Sequence, residues 1–107
     1  MERLKIVLLV KPPKLLEFKQ TLEILSEKLQ KHCSSLKITK TNNLQTHTII
    51  GEWETFVRMQ EALKTEEFEV LSGAITALCE KSTIHLNNKL VGNQISILTN
   101  IIKPKSI

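Results

Sequence analysis

With 107 residues, 41% hydrophobic and 24% charged side chains, the chain has the makings of one soluble domain with a modest core. Plentiful Leu, Ile and Val exclude a disordered chain, and no segment approaches the roughly 20 apolar residues of a membrane span. The net charge of +4 and pI of about 9.2 invite a polyanion partner. However, the lysines are interspersed with glutamates, whereas a nucleic-acid footprint is a concentrated patch, so none is expected.

Leu4 to Val10 is a strand rich in Val, Ile and Leu. Its apolar run, Ile6 to Val10, is too short for a secretion signal, and Lys11-Pro12-Pro13 follows in place of a small-residue cleavage site. Cys33 and Cys79 lie far apart with no metal-ligand spacing, which fits reduced thiols. A cytoplasmic location is therefore expected. Pro12-Pro13 suits the first turn of a helix. Leu15, Phe18, Leu22, Leu25 and Leu29 recur at steps of three and four and trace one helical stripe. Basic residues close the last turn near Lys31-His32-Cys33-Ser34-Ser35, as the helix dipole prefers.

Leu36 to Thr41 reads as a second strand, Asn42-Asn43 as a turn and Gln45 to Trp53 as a third strand, together a hairpin. Thr55 is a helix N-cap. A first helical piece carries Phe56, Met59 and Leu63. A second starts near Thr65 with Glu66 and Glu67 in its first turn and buries Phe68, Leu71, Ile75 and Leu78. Gly73 in its middle is expected to allow close packing on the sheet. Thr83 to Leu86 is a fourth strand. Of the turn signals that follow, Gly92-Asn93 is preferred to Asn87-Asn88. Gln94 to Ile102 is a further extended segment, and residues 94–107 form a C-terminal arm.

The order βαββαβ predicts an α+β, ferredoxin-like domain spanning residues 1–107: a four-stranded antiparallel sheet with both helices on one face. Alternation along the first strand points Leu4, Ile6, Leu8 and Val10 one way and Val7 and Leu9 the other. Both faces are apolar and the helices cover only one. A second copy, sheet against sheet, would cover the other, so a homodimer is expected. RNA-recognition domains share this order of elements, but they display aromatics on their central strands. This chain has none on its first strand and no tyrosine anywhere.

The stretch from Ile49 to Leu78 begins Ile-Ile-Gly-Glu-Trp-Glu-Thr-Phe-Val-Arg-Met-Gln-Glu-Ala-Leu-Lys-Thr-Glu-Glu-Phe-Glu-Val-Leu. A strand ends in Trp53, a Thr cap sits two residues on, and a broken helix runs through Thr65, Phe68 and Leu71. This resembles the antibiotic biosynthesis monooxygenase family of dimeric α/β barrels. The family includes cofactor-independent oxygenases of quinols and polyketides, haem-degrading enzymes and members of unknown role. The resemblance implies a pocket between sheet and helices with Trp53 near its wall. It also implies a small apolar or aromatic ligand and no cofactor. Two departures stand out. Many members carry a histidine nine residues after the tryptophan, where this chain has Ala62. A second histidine just before the phenylalanine is replaced by Glu67. The haem-degrading branch ligates iron through a histidine of this helix. None occurs between Trp53 and Lys81, which disfavours haem degradation.

Cofactor-free oxygenation needs a base, a dry pocket and hydrogen bonds to an oxyanion, because a deprotonated electron-rich substrate itself reduces dioxygen. His47, which shares strand parity with Ile49 and Trp53, and His85, which shares it with Thr83 and Asn87, are the candidate bases. The bland reading makes both ordinary surface or interface histidines. The candidate substrate-binding set is Trp53, Arg58, Met59, Glu67 and Phe68. Trp53 reads as core or pocket wall rather than catalyst, its indole N–H needing a partner when buried. Arg58 could fix an anionic group or simply lie in solvent near Glu54 or Glu61. Glu67 could be a base if desolvated, or merely complement the helix dipole. No metal site, Ser-His-Asp set or phosphate-binding loop is visible. The alternative function is a non-catalytic small-molecule-binding or dimerisation module on the same barrel.

Overall fold

The computed structural model describes residues 1–40 and 45–93. The Asn42-Asn43 turn and the C-terminal arm lie outside the described residues. In chain order the elements are β1 (Glu2–Val10), a 3-10 turn (Pro12–Lys14), α1 (Leu15–Gln30), β2 (Ser35–Lys40), β3 (Thr46–Trp53), α2 (Phe56–Leu63), α3 (Glu66–Leu78), β4 (Cys79–Leu86) and β5 (Lys89–Gly92). The strands form one antiparallel sheet in the order β2-β3-β1-β4-β5. This is the expected ferredoxin-like arrangement with one strand added at an edge.

Strict alternation decides which face each residue serves. Leu4, Ile6, Leu8 and Val10 are buried while their neighbours are not. In register with them, His47, Ile49, Gly51 and Trp53 of β3 and Ser82 and Ile84 of β4 face the helices. Phe18, Leu22, Leu25 and Leu29 of α1, Met59, Ala62 and Leu63 of α2, and Phe68, Leu71, Ile75 and Leu78 of α3 close the core from above. Burial of this apolar set is the main stabilising force.

The helix breaks where the sequence places it. The Thr55 hydroxyl accepts the Arg58 amide at 3.1 Å and caps α2. Thr65 precedes α3, but its hydroxyl turns back and donates to the Ala62 carbonyl at 2.7 Å. Glu66, Glu67 and Glu69 fill the first turn of α3 instead, complementing the positive end of its dipole.

Three expectations are corrected. The chain turns at Asn87-Asn88, both with positive φ (50° and 71°), as a two-residue hairpin demands. Gly92 belongs to β5, a strand the sequence pattern did not announce. The Asn87 amide donates to the Arg3 carbonyl, and its side-chain oxygen accepts the Arg3 amide, each at 2.9 Å. The turn is thereby tied to β1. β4 begins at Cys79 rather than Thr83, because α3 passes directly into extended backbone at its C-cap. Gly73 permits no close approach: nothing lies within 4 Å of the place a Cβ would occupy.

Candidate functional site

β3 carries His47 on the helix-facing side, opposite Leu8 on one flank and Lys40 of β2 on the other. The imidazole is only 3% exposed. The Phe18 ring meets it edge-on, with centroids 5.2 Å apart. Its Nδ1 is buried and has no hydrogen-bond partner among the described residues. Burial pushes the His47 pKa below the ordinary value of 6.5; the Gln45 carbonyl works against this, and the Lys40 charge adds to it. Above its lowered pKa the ring is uncharged and so free to take a proton, though it holds that proton less tightly than a solvated imidazole.

A cleft of about 230 Å³ opens over this ring at the start of α1, lined by Leu15, Leu16, Lys19, Lys40 and His47. A second cleft, of about 220 Å³, opens at the other end of α1 between Lys31, His32, Cys33, Ser34, Trp53, Glu54 and Arg58. Both are smaller than the roughly 300 Å³ at which drug-sized pockets begin, so they suit small ligands.

Trp53 is a core residue that borders the second cleft. It is 2% exposed, packs against Phe68 with ring centroids 6.3 Å apart, and donates its indole N–H to the His32 carbonyl at 2.6 Å. Gly51 makes room for it: a Cβ there would lie 2.7 Å from the indole. Met59 and Phe68 are packed into the core between sheet and helices. Arg58 is exposed at the rim of the second cleft. Glu67 lies 3.5 Å from His32 Nε2. Its carboxyl is held below the ordinary range, first by its own backbone amide and then by His32 and Lys28, with desolvation opposing. That makes it a poor base.

The structure brings Trp53, Phe68 and Met59 into one core and places Arg58 beside Trp53. It does not bring His47 and His85 together. His85 pairs with Lys5 and points to the opposite face of the sheet. Cys33 and Cys79 are half-buried free thiols whose pKa values burial raises to about 11, so they are weak nucleophiles. Among the described residues no group of His, Cys, Asp and Glu could hold a metal ion. Leu15 was read only as the start of the apolar stripe of α1, and Leu16, Lys19 and Lys40 were not singled out from the sequence. The available signal was parity: Lys40 alternates with Leu36 and Ile38, which puts it on the His47 face.

Comparison with solved structures decides the fold family. An antibiotic biosynthesis monooxygenase superposes with a TM-score of 0.74 at 20% identity, over 80% of this chain and 95% of that one. The chain has the fold of the antibiotic biosynthesis monooxygenases. A conserved protein from Methanosarcina mazei Go1 gives a TM-score of 0.73 at 20% identity, over 82% and 91% of the two chains. A protein from Mycobacterium tuberculosis reaches 0.74 at 7% identity, over 85% and 96%. The monooxygenase fold thus persists where sequence likeness has almost gone. No protein-family model and no curated protein sequence matches the chain. The described residues include no helix long and apolar enough to cross a membrane.

Proposed function

We propose that the chain is a cytoplasmic, homodimeric, cofactor-independent monooxygenase of small aromatic, quinol- or polyketide-like substrates, with His47 as its base. The observation that carries this reading is the buried, neutral imidazole with an unpartnered Nδ1 beneath an open cleft. A buried polar atom without a partner costs stability, and such a cost is commonly offset by function. The fold shared with a named monooxygenase supports the reaction class.

In the proposed reaction His47 removes the proton of a phenol or enol, and the electron-rich anion reduces dioxygen. The substrate gives up two hydrogens and gains one oxygen atom; the second oxygen leaves as water. All the electrons come from the substrate, so no cofactor is required. The ammonium groups of Lys19 and Lys40 stand where they would stabilise the oxyanion. His85, on the far face, takes no part within one protomer.

Oxygen uptake with a panel of small dihydroxyarenes and anthrone-like substrates tests the proposal. His47→Ala should abolish uptake in a protein that remains folded by circular dichroism. Uptake that survives the substitution would remove His47 from the reaction.

The second reading is a non-catalytic binding or dimerisation module. Dense packing of Trp53, Met59 and Phe68 favours it, because these residues leave their space filled by side chains. Ligand binding without oxygen uptake across the panel would select it.

A further inference from the structure

The lining of the His47 cleft is chemically lopsided. Leu15 and Leu16 form an apolar wall, Leu16 being 67% exposed. The rest of the rim is cationic: Lys19 comes from α1 and Lys40 from β2, directly across the ladder from His47. Among the described residues no carboxylate lines the cleft. Neither lysine is in a salt bridge among the described residues, and Glu17, on the same turn of α1, is engaged by Lys14 at 3.6 Å. Two ammonium groups with no ion-pair partner among the described residues, beside a buried imidazole whose Nδ1 has none either, form a site for a negatively charged group.

We infer that this cleft selects a small, single-ring aromatic or enolic acid, its ring on Leu15 and Leu16, its anionic group between Lys19 and Lys40, and its hydroxyl toward His47. The inference rests on the reading of His47 as the working base and adds the substrate class. A volume of about 230 Å³ matches one substituted ring better than a fused polycycle. A neutral quinol of the same size would leave both lysines without a partner. Two further consequences follow from the charge. Binding of the acid weakens as salt is added, because the lysines are exposed to solvent. The lysines also lower the cost of forming a second negative charge when the hydroxyl is deprotonated, so the groups that select the substrate also assist its activation.

The test compares 2,5-dihydroxybenzoate with 2,5-dihydroxybenzamide, which differ in charge and hardly in shape. Each is titrated into the full chain and followed by amide chemical shifts. The acid should bind about tenfold more tightly than the amide at low salt, a margin in keeping with two exposed ion pairs. Its shifts should centre on residues 15–19, Lys40 and His47. Lys19→Gln together with Lys40→Gln should weaken binding of the acid about tenfold more than that of the amide and so erase the difference; both positions are exposed, and circular dichroism checks the fold. Equal affinity for acid and amide, an unchanged preference in the double variant, or shifts centred on Arg58 instead would each overturn the inference. Oxygen uptake is read separately. Lysine-dependent binding with no turnover supports the anion site and overturns the assignment of His47 as base.

Discussion

His47 is the residue at which folding and chemistry pull apart. An imidazole nitrogen buried without a partner costs about 1–3 kcal/mol, and an apolar side chain of similar size avoids that cost. His47→Leu should therefore raise stability by about 1 kcal/mol, or about 4–8 °C in Tm for a domain of this size, while eliminating oxygen uptake. Differential scanning fluorimetry and the uptake assay measure the two sides. A large loss of stability would mark the ring as a structural histidine. The pH dependence gives a second check. Because folding lowers the His47 pKa, the unfolded chain takes up this proton first as pH falls. Its contribution to stability is whole above about 6.5 and is lost as pH drops through the lower folded value. Glu67, whose folded pKa is also lowered, acts in a separate window below its ordinary 4.5. The slope of stability against pH just below 6.5 should be present in the parent and absent in His47→Leu. Some of this site was legible in the sequence. Parity put His47 with Ile49 and Trp53 on the core face. The same alternation, with Ile84 and Leu86 inward, already turned His85 outward. Lys19 and Lys40 were not legible, because only the fold brings the start of α1 over the end of β2.

At the scale of elements, periodicity carried most of the information. The stripe of α1, the break between α2 and α3, and the alternation of β1 each follow from where burial is needed. β5 escaped because four residues, Lys89–Gly92, are too few to show a period, and its turn uses asparagines where glycine is the stronger signal. The two glycines with opposite surroundings make opposed predictions. Gly73 sits exposed in α3 with open space about it, so Gly73→Ala should stabilise the protein by about 1 kcal/mol in urea denaturation. Gly51 lies under the Trp53 indole, so Gly51→Ala should destabilise by about 1–3 kcal/mol as the ring is forced from its seat. Trp53 is the chain's one tryptophan, and its fluorescence reports the shift directly. A change in emission accompanying Gly51→Ala, absent from Gly73→Ala, would tie the loss to the indole and its bond with the His32 carbonyl.

At the scale of the whole molecule, there remains the face of the sheet that no described helix covers. Leu9, Val7, Ile50 and Leu90 point away from the helices, and Leu90 is 64% exposed. Val7 stands between Thr48 of β3 and Thr83 of β4, an uncharged centre. Lys5 stands on the same central strand between Ile50 and His85, and Lys37, Lys81 and the Arg3–Glu52 pair at 3.3 Å lie around it. Apolar side chains interleaved with polar ones, as here, are the usual make-up of a protein interface, and a stable dimer needs about 800 Å² from each partner. Val7→Lys would place two ammonium groups, one per protomer, in the desolvated centre. Burying unpaired like charges there costs several kcal/mol, enough to dissociate a dimer held by a face of this size. Because Val7 points away from the core, the monomer should keep its fold. Sedimentation equilibrium should give twice the 12.2 kDa chain mass for the parent and that mass itself for Val7→Lys, with unchanged far-ultraviolet circular dichroism. Leu9→Glu should act more weakly, since the neighbouring Lys81 can partly neutralise the new charge. A parent that sediments as a monomer at micromolar concentration would leave the apolar face unexplained by self-association. A Val7→Lys variant that stays dimeric would move the interface to another surface.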